Sequence, residues 1–282
     1  MPTQSHRTLI LTALAMLAFA GNSLLCRLAL RDTAIDPASF TVLRLASGTA
    51  MLLVLLRFGG VRRPQGSWLA AAALFVYAGA FSLAYVQLDA GVGALVLFGS
   101  VQLGMTGWGL LNGERLTGIQ SAGLTIAAAG LTFWLLPGGG APALNATLLM
   151  ILAGLAWAGY SLIGRGAGDP LANTAGNFLR AGSLAVVMLV AYAGSLQVDR
   201  LGVLYAVLSG AVTSGLGYAI WYAALKNLTA IQGASVQLSV PVIAALLGSL
   251  LLTESLTVRL TIAASMTLGG VGLVLWGKVR KA

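Results

Sequence analysis

Amide, phenol and indole side chains stand at intervals in stretches that otherwise hold little but Ala, Gly, Leu and Val: Asn22, Tyr85, Gln102, Trp157, Tyr160, Tyr218, Trp221 and Gln237. An amide or hydroxyl in apolar surroundings must find a hydrogen-bond partner, and a water-filled solute cavity supplies one. Ring faces add a surface on which an apolar solute can stack. The chemistry these residues offer is recognition, not bond making. They also have a structural use, since amides join helices to one another and aromatics collect at membrane interfaces.

Residues for catalysis are scarce. The single histidine, His6, precedes the first apolar segment, and the acids Asp32, Asp36, Asp89, Glu114, Asp169, Asp199 and Glu254 all fall at segment ends or in connections. There is no HExxH, no paired acidic metal motif, no GxxxxGK[ST] and no histidine placed to activate a serine or cysteine. An enzyme is therefore not expected, nor a cofactor or a metal. Proton-driven pumps usually bury a titratable group along the path. None is visible inside the segments, which favours facilitated movement or exchange over strict proton coupling. Coupling through a residue at a segment end stays open. Cys26, the only cysteine, excludes an intramolecular disulfide and reads as a packing residue.

Three further features need both readings. Arg44 and Arg180 each lie about two turns into a segment, where one of them could bind a carboxylate; their equivalent places near opposite membrane surfaces favour snorkelling or capping instead. Glu114 and Glu254, in short turns, read as turn-stabilising. Pro241 falls in the middle of a segment, where it frees a carbonyl and should kink or unwind the backbone, as a hinge or as a tolerated irregularity.

The elements that must position these groups follow from composition. Of 282 residues, 58% are hydrophobic and 8% charged, and mean hydropathy is +0.92. A soluble domain carries about 25% charged residues, so the solvent of this chain is lipid. A membrane-crossing helix needs about 20 mostly apolar residues. Such segments run 8–30, 37–57, 67–88, 91–111, 116–136, 144–165, 172–194, 201–225, 229–252 and 258–277, ten in all. The first is too long for a cleaved leader and is read as a retained helix. A β-barrel is excluded by the lack of apolar–polar alternation. The Asp36-Pro37 and Asp169-Pro170 pairs each mark a helix start, with Asp as cap and Pro in the first turn.

The chain repeats itself. AFAGNSLLCR (18–27) returns as AWAGYSLIGR (156–165), identical at six of ten positions. Leu43-Arg44 is echoed by Leu179-Arg180, and GERLT (113–117) by TESLT (253–257). In this register Asn22 matches Tyr160 and Phe19 matches Trp157, while Pro241 matches Val101, so its break has no counterpart. The expected fold is all-α and integral to the membrane, with ten transmembrane helices in two five-helix repeats, residues 1–138 and 139–282, joined by the PGGGAP linker (137–142). An odd number of spans per repeat makes the second inverted, the usual build of secondary transporters.

The net charge of +9 reflects Arg and Lys beside segment ends and is read as membrane orientation, not nucleic-acid binding. With the N-terminus in the cytoplasm, Arg7, Arg57, Arg62, Arg63, Arg115, Arg165, Lys226, Lys278, Arg280 and Lys281 lie inside, and only Arg27, Arg31, Arg200 and Arg259 outside. That asymmetry places both termini in the cytoplasm.

Two inverted five-helix halves, the tandem AxAGxSLxxR, and the GERLT and TESLT pair resemble the drug/metabolite transporter superfamily. Within it the chain resembles EamA-type exporters, and most of all the YddG-like amino-acid exporters. The resemblance spans essentially the whole chain and implies an inner-membrane permease exporting amino acids, aromatic ones included. Taken together, the expectation is a transporter of small neutral or zwitterionic metabolites working by alternating access, functional as a monomer, with membrane lipid as its surroundings. The path is expected between the first, third, fourth, sixth, eighth and ninth helices. The alternatives are a proton-coupled multidrug or metabolite exporter and, behind it, a membrane enzyme or assembly factor.

Overall fold

A computed structural model of the chain describes residues 4–60, 63–113, 115–135, 143–165, 168–254 and 257–279. Among these residues the structure is helical throughout, with no strand. The rods are α1 (Gln4–Asp32), α2 (Pro37–Phe58), α3 (Trp68–Tyr85), α4 (Ala90–Leu111), α5 (Gly118–Leu135), α6 (Leu144–Arg165) and α7 (Pro170–Ala191). They continue as α8 (Arg200–Leu225), α9 in two pieces (Ala230–Gln237 and Val240–Leu252), and α10 (Val258–Val279). Eight of them, α1 to α4 and α6 to α9, are long and apolar enough to cross a bilayer, and α5 and α10 are further helices beside them. The linker at 137–142, with Arg62 and Glu114, lies outside the described residues.

Local rules set the helix starts. The Asp36 carboxylate accepts from the amides of Ala38 and Ser39, both at 2.9 Å, and Asp169 accepts from Leu171 and Ala172 at 2.9 and 3.1 Å. Each helix thus begins on an Asp cap followed by Pro, which has no amide to leave unpaired. Asp36 also accepts from the Gln197 amide at 2.8 Å, tying the start of α2 to the approach to α8.

Packing follows the sequence repeat. α3 lies on α6 as α1 lies on α8, α4 on α6 as α1 on α9, and α3 on α7 as α2 on α8. α2 and α7, α4 and α9, and α5 and α10 pack mate against mate. Between α5 and α10 the backbones approach so closely that a Cβ at Gly123 would stand 2.5 Å from the Gly270 carbonyl oxygen. Small residues permit that approach where no hydrophobic force separates helix from lipid.

Two irregularities interrupt the rods. In α8 the stretch Ser209–Leu216 is wound as a π-helix, a form that is rare at this length and concentrates at functional sites. In α9 the backbone breaks between Gln237 and Val240, with Leu238 and Ser239 donating to the carbonyls three residues back. Pro241 opens the second piece and has no amide to offer the Gln237 carbonyl. α4 runs unbroken through Val101, so the irregularity is confined to one half, as the sequence register implied.

Candidate functional site

The two halves meet at an aromatic cluster. The repeat mates Phe19 (α1) and Trp157 (α6) touch edge to face with ring centroids 5.3 Å apart. Tyr218 lies 4.6 Å from Trp157 and 5.8 Å from Phe19, and Trp221 lies 5.7 Å from Phe19. Tyr77 of α3 closes on Trp157 at 5.1 Å, and Tyr160 sits 5.6 Å from the same ring. All of these side chains are buried.

A polar network lies against this cluster. Asn22 donates from Nδ2 to the Tyr77 hydroxyl at 3.3 Å. Its Oδ1 accepts from Ser209 at 2.7 Å, Thr213 at 3.3 Å and Ser214 at 3.5 Å. The π-winding of α8 is what turns those three hydroxyls together toward α1. Arg44 of α2 completes the network: Nε donates to Ser214 at 3.0 Å, and Nη2 donates to the hydroxyls of Tyr77 and Tyr218 at 3.1 and 3.0 Å. Its guanidinium lies over the rings of Phe81 and Tyr77, 4.9 and 5.2 Å from their centroids.

Arg44 corrects the sequence reading. It does not snorkel or cap; it is 1% exposed, and its Nη1 has no hydrogen-bond partner. No carboxylate among the described residues lies within ion-pair distance of it. The polar network at the aromatic cluster thus contains a buried cation. Its repeat mate is placed differently: Arg180 Nη1 donates to the carbonyls of Gln65 and Gly176 at 2.7 and 2.9 Å. α2 comes within reach because α8 has no side chain at Gly210, where a Cβ would collide with the Arg44 carbonyl and the Ser47 hydroxyl.

The remaining site candidates take other places. Trp157 Nε1 donates to Gln237 Oε1 at 2.7 Å, which fixes the indole to the last residue before the α9 break. Gln102 donates to Thr106 at 3.0 Å within α4 and lines a cavity of about 70 Å³ between α4, α5, α9 and α10, away from the central network. Tyr85 donates to the Ala90 carbonyl at 3.2 Å, joining the end of α3 to the start of α4. Sequence reasoning missed Tyr77, Ser209, Thr213 and Ser214, and it weighed a binding role for Arg44 of α2 but favoured snorkelling or capping.

One end of the assembly is held by charge. Arg27 at the end of α1 contacts Asp89 at 3.1 Å and Glu254 at 3.6 Å, and its Nη1 donates to the carbonyls of Tyr85 and Val86, each at 3.1 Å. Glu254 in turn accepts the Ala90 amide through both oxygens, at 3.1 and 3.0 Å, so a residue of the second half caps α4 of the first. Burial pushes the Glu254 carboxyl above its ordinary range; the Ala90 amide and the Arg27 and Arg31 charges oppose that without reversing it.

Comparison with known proteins accords with this architecture. A solved crystal structure with 20% identical residues superposes with a TM-score of 0.77, covering 99% of this chain and all of that one, which establishes a shared fold. The uncharacterized protein PA1977 of Pseudomonas aeruginosa is 61% identical over 281 residues, covering 98% of this chain and 97% of that protein. Residues 144–276 match the EamA-like transporter family. The chain belongs to one family with the Pseudomonas protein along its whole length, and within it the match to the EamA-like transporter family spans residues 144–276.

Proposed function

We propose that this transporter exports small metabolites with an apolar or aromatic body, amino acids among them, through a central site between two inverted five-helix halves. The observation that carries the reading is the Asn22–Arg44–Tyr77–Tyr218 network, held against stacked rings where the halves meet. Hydrogen-bonding groups next to ring faces suit a solute with a polar head and an apolar body. Packing of α3 on α6 and of α1 on α8 supports two related halves, 1–138 and 139–282, that rock against each other. In the inverted arrangement, with both termini in the cytoplasm of an inner-membrane protein, the Arg27–Asp89–Glu254 cluster closes the outer end of the path. The α9 break at Pro241 supplies a hinge beside Trp157 and Gln237. One chain encloses the site, which suits action as a monomer.

A second reading, a proton-coupled exporter, has one specific observation in its favour: Glu254 both holds the outer cluster and carries a raised pKa. Uptake of labelled amino acids into proteoliposomes, with and without an imposed pH gradient, decides between them. Uptake of aromatic amino acids indifferent to the gradient supports a facilitator. Gradient dependence that disappears in Glu254→Gln supports coupling. Absence of amino-acid uptake by folded, inserted protein overturns the substrate assignment.

A further inference from the structure

We infer that Arg44 is the carboxylate anchor of the central site, and that the site selects a monocarboxylate on an apolar or aromatic body without requiring an amine. This rests on the central-site reading above and goes beyond it to the charge of the solute.

A guanidinium has five N–H donors in a fixed plane and does not lose its proton in proteins. Three of the five belong to Nε and Nη2, and these nitrogens are engaged by the neutral hydroxyls of Ser214, Tyr77 and Tyr218. The two on Nη1 are buried and unpartnered. The group is therefore held in orientation by its neighbours yet left one ligand short. An ionisable residue inside a membrane span is costly to keep, and the cost falls when a partner of opposite charge arrives. Asp89 and Glu254 do not fill that role, since they stand with Arg27 at the helix ends.

The charge count narrows the partner. One buried cation matches one negative charge. A phosphate monoester would bring nearly two and call for a second cation, yet Arg27 is paired with acids and Arg180 is bound to carbonyls. A carboxylate fits the planar fork of donors. The rings of Phe81 and Tyr77 on the guanidinium, and Trp157 and Tyr218 beyond, receive the apolar body. An ammonium finds no buried carboxylate here, and Asn22 Oδ1 already faces three hydroxyls. The amine of an amino acid is thus tolerated, not read.

Calorimetric titration of the purified full-length protein with an isosteric series tests this: 3-phenylpropionate, 3-phenylpropionamide, 3-phenylpropylamine and L-phenylalanine. The expected result is binding of the acid at least roughly tenfold tighter than the amide or the amine, with phenylalanine close to the acid. In Arg44→Gln the acid should fall to the level of the amide. Arg44→Lys should keep part of the preference and Arg180→Gln all of it. Equal affinity of wild-type protein for acid and amide overturns the anchor, as does an undiminished preference in folded Arg44→Gln. If phenylalanine is carried in proteoliposomes while acid and amide bind alike, the anchor alone fails. If none of the four compounds is bound or carried, the aromatic-solute reading fails with it.

Discussion

The Arg27 guanidinium and the Glu254 carboxylate, 3.6 Å apart, join the end of α1 to the turn after α9, and so bind the first half of the chain to the second. The same arginine holds Asp89 and the carbonyls that end α3. The only cysteine, Cys26, is the preceding residue and is wholly buried, which makes it a native reporter of whether this end is shut. Arg27→Gln removes the ion pairs and leaves the last turn of α3 uncapped. Labelling by a membrane-impermeant maleimide is expected to be near zero in the wild-type protein and several-fold faster in Arg27→Gln, with Glu254→Gln between them. Equal labelling in all three would mean that the cluster is not a closure.

Asn22 is expected to matter for transport more than for folding. Asn22→Leu keeps the volume but leaves the Ser209 and Thr213 hydroxyls without their shared acceptor and Tyr77 with Arg44 as its one remaining donor. Those hydroxyls can turn to backbone carbonyls, as Thr213 already does toward Ser209 at 2.8 Å, so the fold survives. Arg44 loses the order of its partners, and a loss of about 1.4 kcal/mol in solute binding is a tenfold change. Uptake should therefore drop by roughly tenfold or more at unchanged expression and thermal midpoint. Normal uptake would remove Asn22 from the site. Tyr160→Phe is a milder companion test, expected to lower uptake less, because its ring contacts with Trp157 and Tyr222 persist.

Pro241 can be judged by mending the helix. Pro241→Ala returns an amide to the Gln237 carbonyl, and one regained hydrogen bond is worth about 1 kcal/mol. If the α9 break serves movement, the variant should melt higher and transport more slowly, since a continuous helix resists the bend next to Trp157 and Gln237. Faster or unchanged transport with higher stability would make the break a mere irregularity. Val101→Pro in α4, which is unbroken, should by contrast destabilise the protein by about 3 kcal/mol.

What the sequence made legible is what is local or repeated. Asp36-Pro37 and Asp169-Pro170 announce helix starts because the cap and the missing amide need only three consecutive residues. The pairing of Phe19 with Trp157 in the repeat points to the place where the halves meet, and the two rings do touch. The difference between Arg44 and Arg180 is not local. Both follow Leu at matching positions, yet Gly210 lets α8 close on α2 around Arg44, while Arg180 lies beside the Gln65 carbonyl near a helix start. Ser209, Thr213 and Ser214 escaped notice for a related reason. Their convergence depends on π-winding, and hydroxyl spacing alone does not reveal that winding. Gln102 and Tyr85 look like their site partners in composition and differ only in which neighbour each helix face meets.

Asp36 offers a test of the cap between the halves through its pH dependence. Burial raises the pKa of its carboxyl, but the amides and hydroxyl of Ser39, with the amides of Gln197 and Ala38, together outweigh that and hold it below the ordinary value of 3.8. A folded-state pKa below the unfolded one means that stability is gained in the ionised form. That stability is complete above pH 3.8 and is lost as pH falls through the lower folded value. Asp36→Ala should cost about 1–2 kcal/mol at pH 7, the size of a lost N-cap. Asp36→Asn should cost less, because its carbonyl can still accept from Ala38 and Ser39 while its NH2 faces the Gln197 amide. Thermal midpoints of wild type and Asp36→Ala, measured in detergent from pH 7 downward, should keep a constant gap to about pH 4 and converge below it. A gap that is already closing between pH 7 and 5 would show that Asp36 is not held below its ordinary range and that the tie between α2 and the approach to α8 is weaker than its 2.8 Å contact indicates.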